Sequence, residues 1–179
     1  CAAGAIEGDD RGVPGGWSAQ GGAHRAQRFA GWWGLDGRAA ALVGPWASGM
    51  HAVLNTRGPE PGAPVLVLGS GPIALGTIWA LRATGFQGEI IGQIKRDHEA
   101  EMARSLGASS IVRPGDQARE AMVDTGASAY MPLVGDEVWA GGGFPLIFDC
   151  VGSKATLSQA LRFASPRGRI VMLGCAAEI

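Results

Sequence analysis

A doubly wound α/β fold, with about five parallel strands and helices on both faces, is the fold class that the sequence predicts. Two observations carry the prediction. From Val65 onward, short apolar runs alternate with stretches of helical period, which is the pattern of a parallel sheet covered by helices. The first apolar run ends in a glycine-rich turn, residues 69–74, which opens the first of these helical stretches.

The elements can be assigned in order along the chain. Asp36 is a candidate N-cap for a helical stretch that Pro45 should break or kink, with a second piece from about Trp46 to Leu54. A turn-rich connector follows at residues 57–62. Strands are predicted at 65–68, 90–94, 110–112, 146–150 and 169–173, and helices at about 72–84, 98–106, 117–124 and 154–164.

Caps and stops support these boundaries. Asp97 and Ser153 are candidate N-caps, and Gly107 is placed to end the helix that Asp97 would begin. Residues 125–145, with three consecutive glycines at 141–143, are predicted to form a loop-rich insertion.

The first 34 residues follow another pattern. They are rich in glycine, carry Trp17, Trp32 and Trp33, and show neither helical nor strand period, so short strands and turns are predicted. The segment is too short to bury three tryptophans alone and should pack on something else. The chain begins with Cys1 and stops at Ile179 just after a predicted strand, so we expect a piece of a longer protein.

Composition excludes several function classes. The 15 basic and 16 acidic residues are balanced, so no nucleic-acid partner is expected. No apolar run approaches the roughly 18 residues of a membrane span, and no signal peptide is visible, so no membrane partner is expected. The three cysteines form no disulfide framework, which favours a reducing, cytoplasmic location.

The glycine turn predicts a dinucleotide site. Its first glycine permits a tight turn after the strand, and its second allows the backbone to approach a pyrophosphate. The following helix presents its N–H groups and the positive end of its dipole to the phosphates. The third glycine position of the pattern holds alanine, which serves close helix–strand packing. The candidate cofactor-binding residues of this turn are Gly69, Ser70, Gly71, Pro72, Ile73 and Ala74.

Two further strand ends repeat a small-residue turn. Ligands of open parallel sheets sit beyond the carboxyl ends of the strands, which adds Cys150, Val151, Gly152 and Gly174 as candidates. For each glycine taken alone, an ordinary turn at the end of a strand explains the residue at least as well as a cofactor site does. Together, on one edge of the sheet, they favour a cofactor site.

The end of the second strand favours NADP(H) over NAD(H). Enzymes that use NAD usually carry Asp or Glu about 20 residues after the glycine motif, to bind the ribose 2′-hydroxyl. This chain has Ile94 there, followed by Lys95 and Arg96, two cations that could bind a 2′-phosphate. The alternative is that both are solvated loop charges, and NAD(H) stays possible.

Metal chemistry finds little support in the sequence. His24, His51 and His98 form no ligand pair, and no cysteines stand in C-x-x-C spacing, so no metal ligand is assigned. Cys150 is interpreted as a small buried residue. Asp149 is either a buried polar residue or a charge near the cofactor, and both interpretations stay open.

The chain resembles the zinc-type alcohol dehydrogenase branch of the medium-chain dehydrogenase/reductase family. The resemblance rests on the order and spacing of stretches that together cover most of residues 15–175. These stretches are residues 15–18, 40–53, 65–75, 106–108, 148–153 and 168–174.

The resemblance implies a two-domain subunit. Residues 1–40 would be a remnant of a GroES-like catalytic β domain, 41–62 bridging helices and linker, and 63–179 an incomplete Rossmann domain. Ser48 falls where relatives place a small residue near the nicotinamide. The family's Cys and His-Glu zinc ligands would precede this chain, so the catalytic residues are unknown. Gly44 stands where zinc-dependent relatives carry Cys or Glu, which puts zinc binding in doubt.

The resemblance also implies a function. The chain would be the cofactor half of an oxidoreductase that moves hydride between a nicotinamide and a small alcohol, polyol, aldehyde or ketone, and it should not turn over alone. Homo-oligomers are possible. One alternative is a zinc-independent quinone or enoyl reductase of the same family, which Gly44 supports. Another is a nucleotide-binding module without catalysis.

Overall fold

The computed structural model describes residues 36–175, and residues 42–175 fall within one compact unit. The helices are α1 (Gly37–Leu54), α2 (Pro72–Ala83), α3 (Asp97–Ser105), α4 (Asp116–Asp124) and α5 (Lys154–Phe163). The strands are β1 (Val65–Leu68), β2 (Ile90–Gln93), β3 (Ser110–Val112), β4 (Ser128–Tyr130), β5 (Val138–Ala140), β6 (Phe144–Asp149) and β7 (Ala164–Met172).

The sheet confirms the predicted fold class. Five strands lie in the order β3-β2-β1-β6-β7, and every neighbouring pair is parallel. All four residues of the central strand β1 are buried, as expected for a sheet covered on both faces. Val65 and Val67 join one apolar cluster with Ile78 of α2, whereas Leu66 and Leu68 join another with Met122 of α4. The carboxyl ends of the strands therefore share one edge, as the sequence predicted.

The first helix corrects a sequence prediction. Pro45 was expected to break or kink the helix, and the break is wrong, because α1 is continuous through this residue. Proline removes one intrahelical hydrogen bond. The lost hydrogen bond is compensated by packing between α1 and α2. A Cβ added to Gly49 of α1 would lie 2.8 Å from the Thr77 backbone nitrogen, and one added to Gly76 of α2 would lie 2.9 Å from Trp46. This close packing on α2 holds the helix together on the C-terminal side of the proline.

The predicted loop-rich insertion at 125–145 contains a β-hairpin. Strands β4 and β5 pair antiparallel as a separate two-stranded sheet, which the sequence analysis missed. Strand β6 also begins two residues earlier than predicted. Strand β7 begins at Ala164, directly after α5, and carries Pro166 beside a register shift at the sheet edge, a position that tolerates proline.

Two of the three predicted helix boundaries are confirmed, and one is wrong. Ser153 is confirmed as the N-cap of α5, where its side chain accepts from the Thr156 N–H in a reciprocal capping box. Gly107 is confirmed as the stop after α3, with φ of +112°. Asp97 is wrong as a cap, because it is the first helical residue and its carboxylate accepts a hydrogen bond from Arg113 instead.

Other predictions lie outside the described residues. The β-rich segment at 1–34, and the catalytic-domain remnant at 1–40 except for its last five residues, belong to that group. The division into remnant, bridging helices and Rossmann domain stays a prediction. Within residues 36–175, no helix is both long and apolar enough to cross a membrane.

Candidate functional site

The glycine turn joins β1 to α2 at the carboxyl edge of the sheet. Gly69 has φ of +119°, a backbone conformation that residues other than glycine rarely adopt. Its N–H donates to the Gln93 carbonyl at 3.2 Å. Gly71 is the N-cap of α2, with no side chain capping the helix, and Pro72 occupies the first turn. The first turn of α2 therefore presents its backbone amides without a side-chain partner at the cap, as an anion site requires.

The turn is open on one side and packed on the other. A Cβ added to Gly71 would meet nothing within 4 Å, and Gly71 is exposed. Ala74 is only 1% exposed and packs behind the turn. Ser70 and Ile73 are half-buried. The open side is thus where a ligand could approach the backbone.

The end of β6 is held by a buried carboxylate. Asp149 is fully buried, and its Oδ1 accepts from the N–H groups of Val151 at 3.0 Å and Gly152 at 2.9 Å. Its Oδ2 is also buried and has no hydrogen-bond partner among the described residues. The Val151 side chain reaches the glycine turn, where a Cβ on Gly69 would lie 3.0 Å from Val151 Cγ2. Asp149 therefore shapes the segment that faces the turn.

The two small-residue turns predicted at the ends of β6 and β7 lie against each other. Gly152 has φ of +72°, and a Cβ added to it would overlap the Gly174 backbone. A Cβ added to Gly174 would in turn overlap the Val151 backbone. The Gly174 N–H also donates to the Asp149 carbonyl at 3.1 Å. These two strand ends therefore meet backbone to backbone and leave no room for a side chain at Gly152 or Gly174.

Cys150 offers no reactive thiolate. Its sulfur lies 3.8 Å from Thr77 Oγ1, and burial raises the pKa of the thiol to about 12. A thiol with that pKa stays protonated at neutral pH and acts as a small, weakly polar side chain. The interpretation of Cys150 as a packing residue agrees with this environment.

The end of β2 carries charge but no carboxylate at the predicted position. Ile94 is fully buried and offers no group to a ribose. Lys95 and Arg96 are both exposed. Arg96 forms an ion pair with Glu99 at 3.4 Å, and the Ser70 hydroxyl, followed by Arg96, lowers the pKa of Glu99. Glu99 was not predicted from the sequence, although it stands three residues after Arg96.

The remaining candidate, Ser48, lies on α1. Ser48 is exposed on α1, and its hydroxyl donates to the Gly44 carbonyl at 3.0 Å; no described hydrogen bond links it to the glycine turn. The groove between α4 and the β4–β5 hairpin, lined by Arg119 and Trp139, includes none of the predicted site residues. Within residues 36–175, no three His, Cys, Asp or Glu side chains are grouped so that they could hold a metal ion.

A family model described as zinc-binding dehydrogenase matches residues 72–178. Among curated proteins, the chain is 33% identical to the probable (R)-acetoin-forming diacetyl reductase 2 of Saccharomyces cerevisiae, over 75% of this chain and 30% of that protein. It is 31% identical to L-idonate 5-dehydrogenase of Vitis vinifera, over 76% of this chain and 34% of that protein. The chain thus spans about a third of the length of these relatives.

Solved structures give the same picture. A zinc-binding dehydrogenase from Sinorhizobium meliloti, bound to NADP, is 28% identical with a TM-score of 0.56, over 75% of this chain and 36% of that one. The alcohol dehydrogenase from Thermus sp. ATN1 is 27% identical with a TM-score of 0.56, over 72% of this chain and 34% of that one.

Proposed function

The chain belongs to the zinc-binding dehydrogenase family, within the medium-chain alcohol dehydrogenases, and from this premise we propose that it forms the cofactor-binding portion of an NAD(P)-dependent oxidoreductase. The reaction we propose for the whole protein is hydride transfer between a nicotinamide and an alcohol or polyol, or the corresponding aldehyde or ketone. The observation that carries the proposal is the open glycine turn at the start of α2. Gly71 is exposed there, and no side chain caps the helix.

The residues at this edge fit a dinucleotide. In our proposal, the amides at the start of α2 bind the pyrophosphate, and Gly71 leaves room for its close approach. The backbone at Cys150, Val151, Gly152 and Gly174 would border the nicotinamide half of the cofactor. The bound cofactor supplies the hydride chemistry, and the residues of this chain bind and orient it.

The residues described here do not fit zinc. Gly44 has no side-chain ligand, and residues 36–175 contain no group of three metal-binding side chains. We therefore assign no step of the reaction to residues of this chain acting through a metal. A second candidate function is a zinc-independent quinone or enoyl reductase of the same family, which Gly44 favours. Measuring zinc content and alcohol oxidation in a longer protein that contains this segment separates the two.

We propose NADP(H) as the preferred cofactor, because Ile94 is buried and Lys95 and Arg96 are exposed at the end of β2. Replacing both Lys95 and Arg96 by alanine should weaken NADPH binding by about 10- to 100-fold, since charge-assisted hydrogen bonds to the phosphate are lost. NADH binding should change less than about threefold, because it lacks that phosphate. Titrations that follow nicotinamide fluorescence give both affinities.

The matched control is Arg104→Ala, which removes an exposed cation from the same helix region, on the last turn of α3. It should leave both affinities close to those of the wild type. An equal loss of NADPH and NADH affinity in the double variant would contradict the proposed preference, since it would mean that neither cation recognises the 2′-phosphate.

A further inference from the structure

Glu99 lies beside the basic pair of the proposed cofactor site. It is the third residue of α3, and its Oε1 is 3.4 Å from Nη1 of Arg96 at the end of β2. The hydroxyl of Ser70, in the glycine turn, is the main influence that lowers the pKa of Glu99, and Arg96 lowers it further. The carboxylate is therefore ionised at neutral pH and lies against Arg96 of the basic pair.

The two side chains of the ion pair differ in solvent exposure. The side chain of Glu99 is 17% exposed, whereas that of Arg96 is 72% exposed. The carboxylate is thus the fixed partner, and the guanidinium is the group that could turn toward a ligand. While Arg96 faces Glu99, part of its hydrogen-bonding capacity is not available to a phosphate.

Few other cations are available near this point. Arg113 is already engaged by the Asp97 carboxylate and by the Ile94 carbonyl at 3.2 Å. His98 is exposed beside Glu99 on α3. Lys95 is exposed and forms no ion pair within residues 36–175. A 2′-phosphate would therefore depend on Lys95 and on an arginine that shares its N–H donors with Glu99.

We propose that Glu99 is a specificity-determining residue that weakens binding of the 2′-phosphate. It would thereby lower the affinity for NADP(H) and make its preference over NAD(H) smaller. The inference rests on the proposed function, because it concerns how that site chooses between two dinucleotides. Glu99 acts in two ways: it holds Arg96, and it adds a negative charge close to where a phosphate dianion would bind. Neither effect applies to a ribose with a free 2′-hydroxyl, which carries no charge.

The test is Glu99→Gln, which keeps the shape of the side chain and removes its charge. NADPH affinity should rise by about two- to fivefold, the upper part of the range of a surface charge interaction, while NADH affinity should change less than about twofold. In the variant that combines Glu99→Gln with Arg96→Gln, most of the gain should disappear, because the released guanidinium is no longer present.

The matched control is Glu101→Gln, two residues further along α3. It removes the same charge from an exposed position that forms no ion pair within the described residues, and it should change the NADPH to NADH ratio less than about twofold. A parallel gain for both cofactors in Glu99→Gln, or an equal shift in Glu101→Gln, overturns the inference while the proposed function stands. If the folded wild type binds neither cofactor, the proposed function fails, and the inference fails with it.

Discussion

Replacing Gly71 by aspartate is expected to reduce NADPH affinity by at least about 100-fold while the fold is retained, because a carboxylate at the N-cap takes the place of the cofactor's phosphate. Gly71 has φ of −74° and ψ of 177°, which aspartate adopts without strain. A Cβ there meets no atom within 4 Å, so nothing has to move. Aspartate is also a favoured N-cap, so the free energy of unfolding should stay within about 0.5 kcal/mol of the wild-type value.

Two companion variants separate charge from size. Gly58→Asp adds the same side chain at an exposed linker position with equally open surroundings, and it should leave NADPH binding unchanged. Gly71→Ala adds bulk without charge and should weaken binding by about tenfold, since only the close approach of the pyrophosphate is impaired. Fluorescence titration and urea unfolding are the two measurements. Unchanged NADPH affinity in Gly71→Asp would show that the start of α2 is not the phosphate site.

Replacing Gly152 by alanine is expected to have the largest effect on stability, a loss of roughly 3 to 5 kcal/mol in the free energy of unfolding. Two costs combine. The φ of +72° is unfavourable for any residue with a Cβ, and that Cβ would overlap the Gly174 backbone. The overlap is with main chain, which cannot rotate away as a flexible side chain could. The carboxyl ends of β6 and β7 would have to separate, and dinucleotide binding should be lost with them.

The control for this variant is Gly62→Ala, at a position with a similar φ of +84° but nothing within 4 Å of the added Cβ. It should cost only about 1 to 2 kcal/mol, the penalty for the backbone conformation alone. Urea unfolding of both variants isolates the packing contribution as the difference between them. Equal losses would mean that the contact between Gly152 and Gly174 adds nothing to stability.

Most of the parallel sheet could be predicted from the sequence because its signals are local. The apolar runs at β1, β2, β3 and β6, and the helical spacing between them, are each visible in a short window. The errors arose where tertiary contacts decide. The continuity of α1 through Pro45 depends on packing against α2, and the short strands β4 and β5 are defined only by pairing with each other.

The candidate site shows the same division. The glycine turn was recognisable because its spacing and its strand–turn–helix context are local. The contact between Gly152 and Gly174 depends on β6 and β7 being neighbours, which requires the strand order. The Asp149 carboxylate could not be assigned from sequence, since its two amide partners are a property of how the chain turns after β6. The pairing of Glu99 with Arg96 was missed because Asp97 was predicted as the cap, whereas Arg96 is the N-cap of α3.

The central claim is that this chain holds a nicotinamide dinucleotide at the glycine turn. The most direct test is a titration of the folded wild-type protein with NADPH, followed by nicotinamide fluorescence, with NADP⁺ added at saturation as a competitor. We expect saturable binding that NADP⁺ reverses and that the Gly71→Asp variant lacks. A folded protein that gives no saturable signal with NADPH or NADH, or that binds equally well with Asp at position 71, would contradict it.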